Sequence, residues 1–494
     1  MQKFVSIHGH FYQPPREDPW TGSLNEERSA LPFHDWNERI TSECYAPNAA
    51  SPLTDQAGRT RETVNNYAWI SYDFGPTLLG WLESRHPEVH NAIVEADRAS
   101  AKRFGGHGSA MAQVYNHMIM PLASATDRRI QARWGVEDFV RRFGRRPEGM
   151  WLPETAVDLD SLESLAESGI KFTILSPHQA LSVRMEGETV WTDVSGGRID
   201  TRRAYFCLLP SGKRISLFFY DKGLSTAIAF GNLLESGAAF SNALLGAFGT
   251  PQETALVNVA TDGETYGHHR RKGHLSLTEC VARINDGGVA SMTNYGYYLS
   301  AFPPSYEVKI AERTSWSCAH GVERWRSNCG CGSEIHPGYN QKWRTPLRVS
   351  LDWLGDQLSR AYSAQAQGIM KDPDATRDHF PSFMAGGNRE VKRYLKGELK
   401  QTHSEERGAE LLEMIECASL MLASCAWFWE DMSRIETVQA LRFARRAIEL
   451  ADGSDEGKLQ AEFRRLLSAA RPNDPRFKDG ADLYDRQAVA TRDS

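Results

Sequence analysis

The 494-residue sequence contains no run apolar enough to cross a membrane, and its opening MQKFVSIHGH lacks the long apolar core of a secretory leader. Excess positive charge is missing too. The 57 Lys and Arg stand against 63 Asp and Glu, a net charge of −6, which excludes the electrostatic footprint expected for nucleic acid or an anionic membrane as partner. Cysteine is sparse: eight residues, far apart except for Cys318, Cys329 and Cys331. Without a leader toward an oxidising compartment, these read as reduced thiols in a cytoplasmic protein. No internal repeat and no low-complexity tract stands out. What remains is an ordinary globular composition, 41% hydrophobic and 24% charged, with core material for two or three domains. The 13 Trp serve packing for the most part, with some suited to stacking on sugars.

The organising stretch is MWLPETAVD, residues 150–158. A short apolar strand runs into Pro153, which has no N–H for a ladder, and the next residue is Glu154. The segment VNVATDGETYGHHR, residues 257–270, repeats that grammar: a β-branched run, then Asp262-Gly263-Glu264, an aromatic, a glycine and histidines. Strands that end in carboxylates suggest acids meeting at the C-terminal rim of an α/β sheet or barrel, where such folds place their chemistry. Two carboxyls so placed are the equipment of glycoside cleavage. A retaining enzyme sets them roughly 5–5.5 Å apart and an inverting one roughly 6.5–9.5 Å. The structural alternative makes Glu154 a helix cap and Asp262 or Glu264 a turn residue. Two such acids at strand ends, beside aromatics and glycines, favour the chemical reading.

His8 and His10 share one face of a first strand, KFVSIHGHF, because side chains alternate. That pair admits two readings. With His117, His268 and His269 it could hold zinc, in a metal-dependent polysaccharide hydrolase or deacetylase with His8, His10 and Asp262 as ligands. Neutral imidazoles can equally donate to and accept from sugar hydroxyls. Cys318, His320, Cys329 and Cys331 could also form a zinc site, but C-x-H…C-x-C matches no common finger. The structural reading there is a compact loop packed on Trp316 and Trp325.

Taken in order, residues 16–60 read as a long polar excursion over a barrel mouth. Helices follow at Leu78–Leu82 and after Pro87, then a second strand over 108–123 that ends near His117. A helix stopped at Gly144, the strand before Glu154 and the strand KFTIL come next. The hairpin AYFCLLPSGKRISLFFYD turns on Pro210-Ser211-Gly212, with its second arm as a barrel strand. About seven β/α repeats result, an incomplete (β/α)7 barrel over residues 1–305. A Gly/Cys/Trp-rich segment over 306–344 lines the site, and a helical domain over 345–494 carries no sign of catalysis. The polar tail after Arg471 reads as loosely held.

These motifs resemble glycoside hydrolase family 57, which includes α-amylases, 4-α-glucanotransferases and branching enzymes, and in particular its subgroup with a C-terminal helical domain of unknown function. Trp151-Leu152-Pro153-Glu154 matches the nucleophile motif, and Asp262-Gly263-Glu264-Thr265-Tyr266-Gly267-His268 matches the motif of the general acid/base. His8, His10, Gln13 and Pro14 match the first motif, with Phe11 and Tyr12 standing ahead of Gln13 where H-x-H-Q-P is usual. The GHGSAMAQVYNH region and the Trp316–Trp325 segment correspond to the second and fifth motifs. The resemblance implies a (β/α)7 barrel, a retaining mechanism and no required metal or other cofactor. Its implied substrate is an α-glucan or maltooligosaccharide. Glu154 would be the nucleophile and Asp262 the acid/base. His8, His10, Gln13, His117, Trp151, Glu264, His268, Trp316 and Trp325 would hold sugar. A barrel that binds glucan without turning it over is the remaining alternative.

Overall fold

The computed structural model describes residues 2–55, 57–249, 255–332, 336–384, 387–400, 405–451 and 456–489. The chain divides into two compact units. One comprises residues 1–13, 26–113 and 139–312, and the other 14–25, 114–138 and 313–494.

The first unit is built on seven parallel strands in chain order: β1 (Lys3–Phe11), β2 (Ser71–Phe74), β3 (Ala110–Gln113), β4 (Met150–Trp151), β5 (Phe172–Leu175), β6 (Arg214–Phe219) and β7 (Ala255–Asp262). Hydrogen bonding runs β7-β1-β2-β3-β4 in one sheet and β5-β6 in a second. A parallel bridge between Gly149 and Phe172 joins the two sheets. Between β6 and β7 the ring is completed by Asn258: its carbonyl accepts from the Asp221 N–H at 2.8 Å, and its Nδ2 donates to the Phe219 carbonyl at 3.1 Å. A buried asparagine in a strand of β-branched neighbours is explained by that duty, since a buried amide needs partners. β1 is buried along nearly its whole length, as a strand covered on both faces should be.

Helices Pro76–Arg85 and Pro87–Arg103 follow β2, Leu159–Glu167 follows β4, and Gly273–Gly287 follows β7. Both early helices begin on proline, whose missing N–H is no loss in a first turn, and Val89 and Ile93, four residues apart, are both buried. Gly144 lies at φ 69°, ending the helix before it. The expected hairpin is present as Ala204–Leu208 against β6, and its second arm pairs parallel with β5.

Two expectations for this unit are corrected. The second barrel strand is Ser71–Phe74, and the strand expected over 108–123 is only Ala110–Gln113, ending before His117. Four residues are too short for period-2 alternation to stand out. Tyr306–Ile310 pairs with Ala180–Met185 and Ala204–Leu208, so it is sheet of the first unit rather than the start of a connecting segment.

In the second unit, helix Arg344–Ile369 packs against Glu405–Leu420, Ile435–Ala451 and Glu456–Leu467. Its buried stripe, Leu347, Leu351, Leu354, Leu358, Tyr362 and Ala366, follows the helical period. The tail is packed through Ala488, contrary to expectation. Asp479 caps Gly480–Tyr484, Leu483 and Tyr484 are buried, and Tyr484 meets Phe463 edge-on at 5.4 Å. Residues 490–494 lie outside the described residues.

Candidate active site at the barrel rim

Parallel strands carry their C-terminal ends to one rim, and the register fixes which residues stand level there. Asp262 on β7, His10 on β1, Asp73 on β2 and Met111 on β3 are successive Cα partners. His8, two residues earlier on the same face of β1, donates or accepts at both ring nitrogens: Nδ1 to Ser71 Oγ at 3.1 Å and Nε2 to Asp73 Oδ1 at 3.0 Å. His10 Nδ1 meets the other oxygen, Asp73 Oδ2, at 2.8 Å. One buried carboxylate thus holds both imidazoles. The Trp151 indole stacks on each of them, at 4.9 Å from either ring centroid. Asp73 was not singled out in the sequence, and its only signal there is a lone acid in the apolar stretch WISYDF.

The two histidines differ electrostatically. Burial pulls the His8 imidazolium below its ordinary range, against the pull of Asp73. Burial opposes charge on His10 as well, but Asp73, with Asp262 and Glu264 beyond it, lifts that ring to about 9. Asp262 is raised, chiefly by burial and also by the Asp73 carboxylate, with the His10 cation pulling the other way. Its side chain keeps solvent-open surface although protein crowds around it, so water tempers that lift. The neighbouring carboxylate acting on Asp262 is Asp73. Glu264 is fully enclosed. Burial raises it to about 7 even though Tyr45 donates to its Oε1 at 2.6 Å and the Tyr12 N–H at 3.1 Å.

Tyr45 comes from the polar excursion, for a definite reason. Asp35 caps helix Trp36–Ile40 by accepting from the Glu38 N–H. The chain then passes through one π turn, Thr41–Tyr45, a form common at functional sites. That turn sends Glu43 to His268 Nδ1, the Cys44 thiol to the Gly263 carbonyl and Tyr45 to Glu264. Its backbone packs so closely on Gly267 that a Cβ there would sit 2.5 Å from the Glu43 carbonyl oxygen. Gly263 is demanded likewise, by the Phe11 ring at 2.3 Å from any added Cβ. Gln13 is brought in beside Tyr45, and its Nε2 donates to the Tyr12 carbonyl. The extra Phe11-Tyr12 in the motif therefore serves Gly263 and Glu264.

Glu154 stands half-buried, three residues past β4, in a left-handed conformation at φ 59°, ψ 20°, and Thr155 follows at φ 49°. Such angles cost a branched or bulky residue of order 1–3 kcal/mol and persist only where the surroundings impose them. Gln179 does so: it accepts from Thr155 Oγ1 at 2.9 Å and from the Ser176 N–H at 2.8 Å, and its Nε2 donates to the Thr155 carbonyl at 2.8 Å. Gln113, level with Trp151 on β3, is buried with neither side-chain polar atom hydrogen-bonded among the described residues, a costly state for an amide.

His117, Trp316 and Trp325 belong to the second unit. His117, at φ 54°, bonds Ser424 Oγ through Nδ1 at 2.6 Å, and the fully buried Trp325 indole donates to the Ser424 carbonyl at 3.2 Å. Trp316 is half-buried. The barrel rim thus unites His8, His10, Gln13, Trp151, Asp262 and Glu264, with Glu154 at the end of β4 and His268 held aside by Glu43.

The family model described as "Glycosyl hydrolase family 57" matches residues 6–311, and one described as "Domain of unknown function (DUF3536)" matches 339–493. Among curated proteins, the chain is 23% identical over 199 residues to Alpha-amylase 1 of Dictyoglomus thermophilum, covering 40% of this chain and 26% of that one. It is 21% identical over 263 residues to 4-alpha-glucanotransferase of Thermococcus litoralis, covering 50% and 36%. The chain thus spans well under half the length of these relatives. Among solved structures, an exo-type maltose-forming amylase from Pyrococcus sp. ST04 superposes with a TM-score of 0.73 at 16% identity, covering 100% of this chain and 92% of that one. A branching enzyme from Pyrococcus horikoshii gives 0.54 at 14%, covering 99% and 95%. At these identities the likeness to the solved structures is one of fold.

Proposed function

Because this chain belongs to glycosyl hydrolase family 57, we propose that it is a retaining glycosidase or transglycosidase of α-glucans in which Glu154 attacks the anomeric carbon. The observation that carries this reading is the strained, braced turn that presents Glu154 at the rim where Asp262 also ends its strand. Asp262, raised by burial, donates its proton to the departing glycosidic oxygen as the glycosyl–Glu154 ester forms. It then takes a proton from water or a sugar hydroxyl, which displaces Glu154 and restores both acids. A cationic His10 beside Asp262 provides a donor for sugar oxygens and limits how far Asp262 rises. Gln113 adds an amide able to donate and accept. Trp151 fixes the histidines by stacking. Glu264, enclosed and bonded by Tyr45, and His268, bonded to Glu43, hold the rim in place rather than touch sugar.

The metal-hydrolase reading is disfavoured by His8, whose two ring nitrogens already serve Ser71 and Asp73. The test compares wild type and Glu154→Gln on maltoheptaose, amylose and glycogen by product chromatography. Shorter and longer oligomers together indicate transfer, and shorter ones alone indicate hydrolysis. Products undiminished in Glu154→Gln would end the proposal.

A further inference from the structure

The second unit holds a cluster of chemistry that the barrel reaction does not use. Cys318 Sγ lies 4.0 Å from Cys329 Sγ and 3.8 Å from Cys331 Sγ, and Cys331 Sγ lies 3.4 Å from His320 Nδ1. All four ligand atoms fall within 4.8 Å of one another. We propose that Cys318, His320, Cys329 and Cys331 bind a structural zinc ion in a tetrahedral Cys3His site.

Geometry carries this first. A tetrahedral ion with Zn–S bonds of ~2.3 Å and Zn–N bonds of ~2.0–2.1 Å sets sulfur–sulfur edges of ~3.8 Å and sulfur–nitrogen edges of ~3.5 Å. The observed edges of 4.0, 3.8 and 3.4 Å follow that figure. A disulfide would need sulfurs ~2.05 Å apart, and none of the eight cysteines forms one.

The second observation is the way the backbone treats the sulfurs. The Cys331 N–H points at Cys329 Sγ, at 3.5 Å. Backbone N–H groups of His320 and Arg324 point at Cys318, and that of Ala319 at Cys331. N–H groups converging on sulfur match thiolates, which accept such bonds far better than thiols. The turn that aims His320 closes with the Gly321 N–H on the Cys318 carbonyl at 3.1 Å, at a glycine with φ 83°.

The third is Arg344. This fully buried arginine donates to Cys329 Sγ at 3.8 Å, to the Cys331 carbonyl at 3.0 Å and to the Trp429 carbonyl at 3.2 Å. No carboxylate among the described residues pairs with it. Binding Zn2+ releases three thiol protons to solvent and leaves three thiolates, one imidazole and a net charge of −1 beside this guanidinium. The buried cation and the anionic centre thereby answer each other. Four protein ligands fill the tetrahedron, so the role is structural. It clamps the loop that runs from Cys318 to Cys331.

Elemental analysis of the purified full chain is expected to give one zinc per chain, released when a mercurial reagent blocks the thiols. Exchange with Co2+ should give the intense visible bands of a tetrahedral ion and a near-ultraviolet sulfur-to-cobalt charge-transfer band. Cys329→Ser and Cys331→Ser should lose the metal, and Cys207→Ser in the first unit should keep it. Wild-type protein with no zinc and no cobalt bands would overturn the proposal, as would zinc retained in both Cys329→Ser and Cys331→Ser. The wild-type cobalt spectrum decides the matter even if the variants fold poorly.

Discussion

His10 Nδ1 lies 2.8 Å from Asp73 Oδ2, and that bond ties the first strand of the barrel to a second strand whose acid also holds His8. Through it the charge state of the rim is set.

Replacing Asp73 by Asn should change how stability depends on pH. His10 is raised from 6.5 to about 9 in the folded protein, so its contribution is fully present below pH 6.5 and is lost as pH rises through 9. The size is about 3 kcal/mol. Urea unfolding at pH 6 and at pH 9.5 should show a smaller loss for Asp73→Asn than for wild type. Equal losses in both proteins would show that Asp73 does not set the His10 charge.

Glu264 gives a second window. Its carboxyl rises from 4.5 to about 7, so the folded state favours the protonated form. That contribution is complete below pH 4.5 and is lost as pH climbs through 7, again about 3 kcal/mol. Glu264→Gln stays neutral and can still accept from Tyr45 and the Tyr12 N–H. Relative to wild type it should therefore gain stability between pH 4.5 and pH 8, read by thermal melts across that range.

Glu154→Gly should separate stability from activity. Glycine meets no steric cost at φ 59°, so the variant should be more stable by about 1 kcal/mol. Its turnover of α-glucans should fall by a factor on the order of 10^4, as for a lost nucleophile. Chemical denaturation beside product assays checks both, and a less stable variant would contradict the strain.

Gln179 touches the turn and not the reacting atoms, so it acts by positioning. Gln179→Ala should lower kcat by about 10–100-fold with KM within about twofold, because misplacement by 1 Å can cost that much. A raised KM at unchanged kcat would assign it to binding instead.

The positions of several candidate residues at the rim were legible in the sequence. The strand-Pro-Glu and strand-Asp-Gly-Glu patterns located Glu154, Asp262 and Glu264, and alternation along β1 placed His8 and His10 on one face. These features are local: proline ends a ladder, and side chains alternate by geometry alone. The helices of the second unit were legible for the same reason, since their buried stripes repeat every three or four residues.

What the sequence did not disclose depends on partners far away in the chain. Asp73 is meaningful only because β2 sits beside β1, 63 residues from His10. Tyr45 and Glu43 matter only because one π turn brings them to Glu264 and His268. The positive φ of Glu154 has no glycine to announce it and is held by Gln179 on the next loop. The cysteine spacing matches no familiar pattern, yet three sulfurs and an imidazole nitrogen converge. The residues at the strand ends and the helical stripes follow from the chain's local chemistry, because sterics and periodicity suffice for those. Tertiary structure alone decided the charges on His10 and Glu264, because a pKa in a protein interior is set by burial and by which charges the fold gathers around it.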